Sequence, residues 1–251
     1  MKKQVIKSLI STGSYESFVA NILDLAKEES SYVCVSNVHM VIEAYRDQSF
    51  QHILNNAQIA TPDGMPLAKA IKWLYKIDQP RVAGMDLIQD LFKSCEEKKL
   101  SIYLYGTTNE VLSKMLSNIK KMYPNLNICG YKSPPFRILS EDEKEDVVNE
   151  INTLNPDFVF LALGCPKQER WMSEHKDKIK SCMVGLGGAF EVYSGVKKRS
   201  PKWMQDYSLE WLYRLILEPK RLWKRYFVTN SMFIYLFVKQ LIFQKNKWEC
   251  K

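Results

Sequence analysis

Asp157-Phe-Val-Phe-Leu-Ala-Leu163 is an apolar run with no polar alternation and an acidic residue only at its start. A strand exposed on one face alternates apolar with polar residues, so an unbroken run of this length describes a strand covered on both faces. Similar runs occur at Ser31–Ser36, Leu100–Tyr105 and Ser181–Gly185. Helical patterns separate them. Residues 107 to 122 place Val111, Met115, Leu116 and Ile119 on one side, and Ser140-Glu-Asp-Glu143 is a capping box for a helix to about Leu154. Strands alternating with helices predict an α/β fold, a Rossmann-like, mainly parallel sheet with helices on both faces. In such a sheet, ligands bind beyond the carboxyl ends of the strands.

The 251 residues, 46% hydrophobic, suffice for one large α/β domain with an appendage. The boundary is expected at 207/208, leaving residues 208–251 as a basic amphipathic helical appendage. Six cysteines (34, 95, 129, 165, 182, 250) form no CxxC pair and read as buried thiols of a reducing compartment. His39, His52 and His175 lie far from one another and from any cysteine at ligand spacing, so no zinc site is expected. The N-terminal stretch lacks the long apolar core of a signal peptide, which predicts a cytoplasmic protein. The net charge of +8 gathers after Lys197 among Trp, Tyr and Phe, a composition suited to nucleic acid or to an anionic membrane surface.

Glycines follow the strands where a ligand would sit: Gly106 after the run ending at 105, Gly164 after 163, and Gly185-Leu-Gly187-Gly188. Such loops let backbone amides approach an anion, and the helix N-termini behind them favour phosphate. Together they point to a nucleotide-type ligand. Neither a P-loop nor a G-x-G-x-x-G after the first strand is present, which counts against a P-loop NTPase and a dinucleotide oxidoreductase. Thr61-Pro-Asp63-Gly64 puts a carboxylate where a strand becomes a turn, either to shape the turn or to take a proton.

Asn37, Thr61-Pro-Asp63-Gly, Arg81-Val-Ala-Gly-Met-Asp86, Gly164-Cys-Pro-Lys-Gln168-Glu169, Gly185-Leu-Gly187-Gly188, Arg199-Ser-Pro and Leu209-Glu-Trp-Leu-Tyr-Arg214 resemble, in order and spacing, the WecG/TagA/CpsF family of bacterial glycosyltransferases. Val35 stands where the family often carries Thr. The resemblance covers residues 30 to 230. It implies an inverting enzyme that moves a sugar from a UDP-sugar to a polyprenyl-diphosphate-linked sugar at the inner face of the cell membrane. Such enzymes build teichoic acid linkage units, capsules and exopolysaccharides. Asp63 is then the expected catalytic base. Asn37 and Gln168 carry neutral donors and acceptors for sugar hydroxyls, or cap their loops. Arg81 is a charge for the donor or a strut for its loop, and Asp86 falls in the same string. Glu169 is a substrate ligand or a first-turn acid favoured by the helix dipole. Glu191 bonds the ribose or stands in solvent. Without an Asp-x-Asp motif, the reaction is expected to need no metal or cofactor, with the diphosphate met by amides and cations.

The tail carries a helical pattern from Ser208 to Leu217 and a second one from Pro219. Arg214, Arg221 and Arg225 align if the two helices are nearly continuous, to meet the acceptor diphosphate or the membrane. Leu222, Tyr226, Phe227, Ile234, Val238 and Leu241 supply an apolar side, while Asn230, Lys239 and Gln240 make the run a better interfacial than transmembrane helix. The alternative is a core-packing helix with a solvated basic face. Nucleic acid is not expected, since no recognised nucleic-acid module is present. The resemblance allows a homo-oligomer without fixing its number. Two other functions fit the same features: a nucleotide-sugar-modifying oxidoreductase, and a non-catalytic peripheral membrane protein that binds polyprenyl lipid.

Overall fold

The computed structural model describes residues 1–27, 30–207 and 209–249. Cys250, and Ser208 at the expected domain boundary, lie outside the described residues. In chain order the elements are β1 (Lys2–Val5), β2 (Ser8–Ser11), α1 (Tyr15–Leu25), β3 (Ser31–Ser36), α2 (Val38–Arg46), α3 (Gln48–Asn56), β4 (Ile59–Pro62), α4 (Met65–Tyr75), α5 (Gly84–Lys98), β5 (Ser101–Gly106) and α6 (Asn109–Met122). They continue as β6 (Asn127–Lys132), α7 (Glu141–Leu154), β7 (Phe158–Ala162), α8 (Lys167–His175), β8 (Cys182–Gly185), α9 (Ala189–Tyr193), α10 (Lys202–Asp206), α11 (Glu210–Leu217) and α12 (Pro219–Glu249).

Six strands form one sheet in the order β4-β3-β8-β7-β5-β6, with every pair parallel. Residues of β3, β7 and β8 are buried throughout, as the unbroken apolar runs require. Alternate residues feed two cores. Tyr32, Cys34, Val159, Leu161 and Met183 pack on one side, and Val33, Val35, Phe158, Phe160 and Val184 on the other. Val35 therefore faces the core, beside Gly84, rather than a ligand.

The expected capping box is present: Glu143 N–H donates to Ser140 Oγ (3.2 Å) and Ser140 N–H to Glu143 Oε2 (2.9 Å). The antiparallel β1–β2 hairpin was not foreseen; Ile6 in its turn takes φ 60°, rare for a β-branched residue. Of the cysteines, Cys34, Cys95 and Cys182 are buried, while Cys129 and Cys165 are only partly so.

The C-terminal helices correct one expectation. Glu218 breaks the helix, and the Trp211 and Tyr226 rings stand 6.2 Å apart. A continuous helix would separate those residues by about 22 Å along its axis. α11 and α12 thus fold back on one another, so the three arginines do not lie along one continuous helix, although Arg214, Arg221 and Arg225 all act on Tyr226. α12 lays Phe233, Leu236 and Phe237 into the core that also holds Met40, Val41 and Ile71. Gln240 ties it to the hairpin, accepting from Ile6 N–H (2.6 Å) and donating to Gln4 O (3.0 Å). Residues 219–243 are long and apolar enough to cross a membrane by composition, with mean hydropathy 1.3. Their inner side is occupied by protein. The outer side leaves Trp223, Phe227, Ile234 and Val238 exposed at spacings that share one face.

Gly106 takes φ 118°, and a Cβ there would meet the Ala162 backbone at 2.6 Å. Gly106→Ala should therefore destabilise the fold by about 2–4 kcal/mol, from backbone strain and overpacking. Gly188→Ala, with open space around its Cβ position, should be nearly neutral. Denaturant midpoints of the two variants check this, and equal midpoints would refute the packing role of Gly106.

Candidate active site

β3 and β4 end side by side, and Asp63 N–H donates back to Ser36 O (2.7 Å), fixing the turn that Gly64 completes at φ 101°. Val82 N–H donates to Pro62 O (3.0 Å), which draws the loop 77–83 past the same strand end and delivers Arg81 beside Asp63. Arg81 is paired with Glu210 from the start of α11, and Arg214, one turn further along, is the largest charge acting on Asp63. The Asp63 carboxyl thus sits among Arg214, Glu210, Arg81 and the Gly84 backbone amide. It keeps a partial window to solvent, yet burial pushes its pKa up to about 6, with Glu210 adding to the rise and Arg214 and Arg81 opposing it. A carboxylate poised near neutrality at a strand end can accept a proton.

Asn37 caps α2: Met40 N–H donates to its Oδ1 (3.2 Å). Next to it lies His39, held down to about 4 by burial and by Arg225, and so neutral at physiological pH. Arg225 also acts on Cys165. Arg214 and Arg225 thus approach the strand ends from two different helices. Arg221 instead pairs with Glu218 (2.5 Å), its side chain 63% exposed.

At the β7 end, Gly164 takes φ 79° and has nothing within 4 Å of its Cβ position; the same is true of Gly188 at the start of α9. These two glycines leave room for a ligand. Gly106 serves packing, and Gly187 (φ 51°) lies against Gln168. Gln168 and Glu169 are both buried, and Gln168 Nε2 donates to Glu169 Oε1 (2.6 Å). Burial raises the Glu169 pKa to about 7, so it is an interior acid rather than a first-turn surface charge.

Asp86 pairs with Arg199, and Glu191 with Lys197 (2.7 Å). Arg81 and Asp86 line a cleft of about 390 Å³ with Tyr15, Gln89 and Asp90. A larger cleft, about 520 Å³, lies along α3 between Gln48 and Asn55 and holds none of the candidates. Glu210, Arg199 and His39 were not foreseen as site residues. The first two lie in the Leu-Glu-Trp and Arg-Ser-Pro strings, which was the available signal. Among the described residues, no three His, Cys, Asp or Glu side chains come together as a metal site would need.

The raised pKa has a stability consequence. The folded state holds the Asp63 proton more tightly than an unfolded chain, whose Asp titrates at about 3.9. The stability this lends is full below about pH 4 and is lost as pH rises through about 6. Asp63→Asn should therefore be more stable than the parent at pH 8 and lose that advantage at pH 4. Paired melting curves at the two pH values check it; an advantage independent of pH would refute the shift.

Residues 3–247 match the glycosyl transferase WecG/TagA/CpsF family model. Among curated proteins, the chain is similar to the N-acetylglucosaminyldiphosphoundecaprenol N-acetyl-beta-D-mannosaminyltransferase of Bacillus subtilis (strain 168), at 36% identity over 75% of this chain and 72% of that one. The proteins of the same name from Bacillus spizizenii (31%; 83% and 80%) and Staphylococcus aureus strain NCTC 8325 (29%; 82% and 78%) are also similar.

Proposed function

The chain belongs to the WecG/TagA/CpsF family of glycosyl transferases, and on that footing we propose that it moves N-acetylmannosamine from a UDP-sugar onto N-acetylglucosamine carried by a polyprenyl diphosphate, in the synthesis of a cell-wall polymer. The relatives' names supply the sugar and the acceptor. The observation that carries the mechanism is Asp63, a carboxyl raised to about 6 at the meeting point of the β3 and β4 ends.

A UDP-hexose carries its nucleotide on the α face, and the relatives are named for a β-linked product, so transfer inverts the anomeric carbon. The acceptor hydroxyl gives its proton to Asp63 as its oxygen bonds to C1, and the C1–oxygen bond to UDP breaks on the opposite face. General-base assistance of this kind is worth about 10²–10⁴-fold. The leaving diphosphate takes up negative charge. Backbone amides behind Gly164 and Gly188 can approach it, and Arg81 or Arg214 can offset its charge without a metal ion. Asp86 and Glu191, already paired, act by holding Arg199 and Lys197 at the rim. Arg225, beside His39 and Cys165, suits the acceptor's diphosphate.

A lipid-linked acceptor supports work at a membrane surface, and a UDP-sugar donor supports the cytoplasmic leaflet. The outer face of α12 (Trp223, Phe227, Ile234, Val238), flanked by Arg221 and Lys239, suits an anionic interface. The helix lies on that surface, because its other face is packed into the fold. An alkaline carbonate wash should strip the protein from membranes; retention in the pellet would favour a span.

The direct test is transfer from UDP-N-acetylmannosamine to a lipid-linked N-acetylglucosamine diphosphate. Activity should fall below a pH near 6 as Asp63 takes up its proton. Asp63→Asn should lose at least about 100-fold in kcat while still binding the donor, and EDTA should leave the parent active. Near-normal turnover by Asp63→Asn would return Asp63 to a turn-forming role.

A further inference from the structure

Both side-chain amides beside the strand ends are oriented by the fold. Asn37 spends its Oδ1 on the Met40 N–H of α2, so its remaining polar atom is the Nδ2 amino group, a donor. Gln168 directs an N–H of its Nε2 to Glu169, which leaves Oε1 as an acceptor without a partner among the described residues. With Glu169 ionised, turning either amide over would set N–H against N–H at Met40, or oxygen against oxygen at Glu169, so the network favours one orientation of each.

The two lie on neighbouring strand ends. β3 and β8 pair in register with Cys34 opposite Gly185. Asn37 directly follows β3, and the Gln168 amide lies against Gly185 and Gly187 of the chain leaving β8. Gln168 is 4% exposed, and its Oε1 has no hydrogen-bond partner among the described residues. A buried acceptor left unmet costs about 1–3 kcal/mol. The position that a Cβ on Gly187 would occupy is empty, with Oε1 its nearest neighbour at 3.4 Å. The orphan acceptor therefore borders a space left by a glycine.

We propose that Asn37 and Gln168 read the acetamido group of the donor sugar, the Asn37 amino group donating to its carbonyl and the Gln168 carbonyl accepting from its N–H. An acetamido group offers one acceptor and one donor, the complement of what the two amides present. A 2-hydroxyl can rotate to satisfy either partner but does not reach both in the same way. Glu169 is a positioning residue: it touches no substrate and fixes which end of Gln168 faces out. Its second oxygen, Oε2, has no donor of ordinary geometry among the described residues, with Cys165 beside the carboxyl. A fully buried acid is a poor stabilising element, which is consistent with an orienting duty.

The inference rests on the transferase reading, and its test separates the two. Donor affinity and kcat/KM are measured for UDP-N-acetylmannosamine and for UDP-mannose, which differ in the acetamido group. Asn37→Ser keeps an oxygen for the helix cap and lacks the amino group. Glu169→Gln lets the Gln168 amide turn. Each should lower kcat/KM on the acetamido donor by about 10–100-fold, the range of one misplaced hydrogen-bond partner, and leave the hydroxyl donor within about 3-fold. The comparison of the two donors, not a melting temperature, separates this duty from a purely structural one, because a neutral isostere of a buried acid can be as stable as the parent in either case. Equal losses on both donors, or unchanged discrimination, overturn the assignment alone. A parent protein that binds neither donor overturns the transferase reading and this assignment with it.

Discussion

Parallel pairing across all six strands of the main sheet sends every carboxyl end to the same edge, and the chemistry of the molecule follows from that. Both faces of the sheet are filled by apolar side chains, so polar groups gather where the strands stop. There the chain turns, backbone amides lose their ladder partners, and helices begin. Asn37, Asp63, Gly106, Gly164 and Gly187 all occupy such positions although the sequence scatters them over 150 residues. The order β4-β3-β8 sets the Asp63 turn, the Asn37 cap and the Gln168 amide over three adjacent strands.

Charge at this edge is arranged in opposition. Asp63 is flanked by two arginines and one glutamate, and burial dominates the outcome by lifting its pKa to about 6. Had Arg81 been unpaired, its pull on Asp63 would be stronger; Glu210 holds it and also repels the Asp63 charge. The ion pair therefore acts on proton affinity more than on stability, since a partly exposed pair contributes only about 0–1 kcal/mol.

What the sequence revealed is what local physics decides. The runs at 31–36 and 157–163 are legible because burial on both faces admits only apolar residues, and Ser140 is legible because a capping box spans four positions. β6 hid because it is a half-exposed edge strand carrying Asn127, Gly130 and Lys132. The hairpin hid because its turn is built on Ile6 and Lys7 rather than on Asn or Gly. Asp63 could be singled out from its turn and family string, but its environment could not. Its regulators Glu210 and Arg214 lie some 150 residues away, and Glu210 reaches the site by pairing with Arg81 across 129 residues. Nor could spacing show that Glu218 bends the tail, because seven- and four-residue steps look the same on one helix or two.

The same bend divides the tail energetically. α12 is anchored by Phe233, Leu236 and Phe237, each buried and worth roughly 1.5–3 kcal/mol. α11, which carries Glu210 and Arg214, has no buried residue at all. Its ties to the rest of the fold include the Arg81–Glu210 pair, the Trp211–Tyr226 ring contact with α12 and, at Glu218 just past its end, the pair with Lys197. Ion pairs of this kind weaken with salt and with competing charge, whereas buried phenylalanines do not. In the proposed reaction, a diphosphate arriving at Arg81 would compete with Glu210 for the same guanidinium. The element that faces Asp63 is thus tied in part through a guanidinium that an anionic ligand would claim. α12, docked through its apolar face, does not depend on that ion pair.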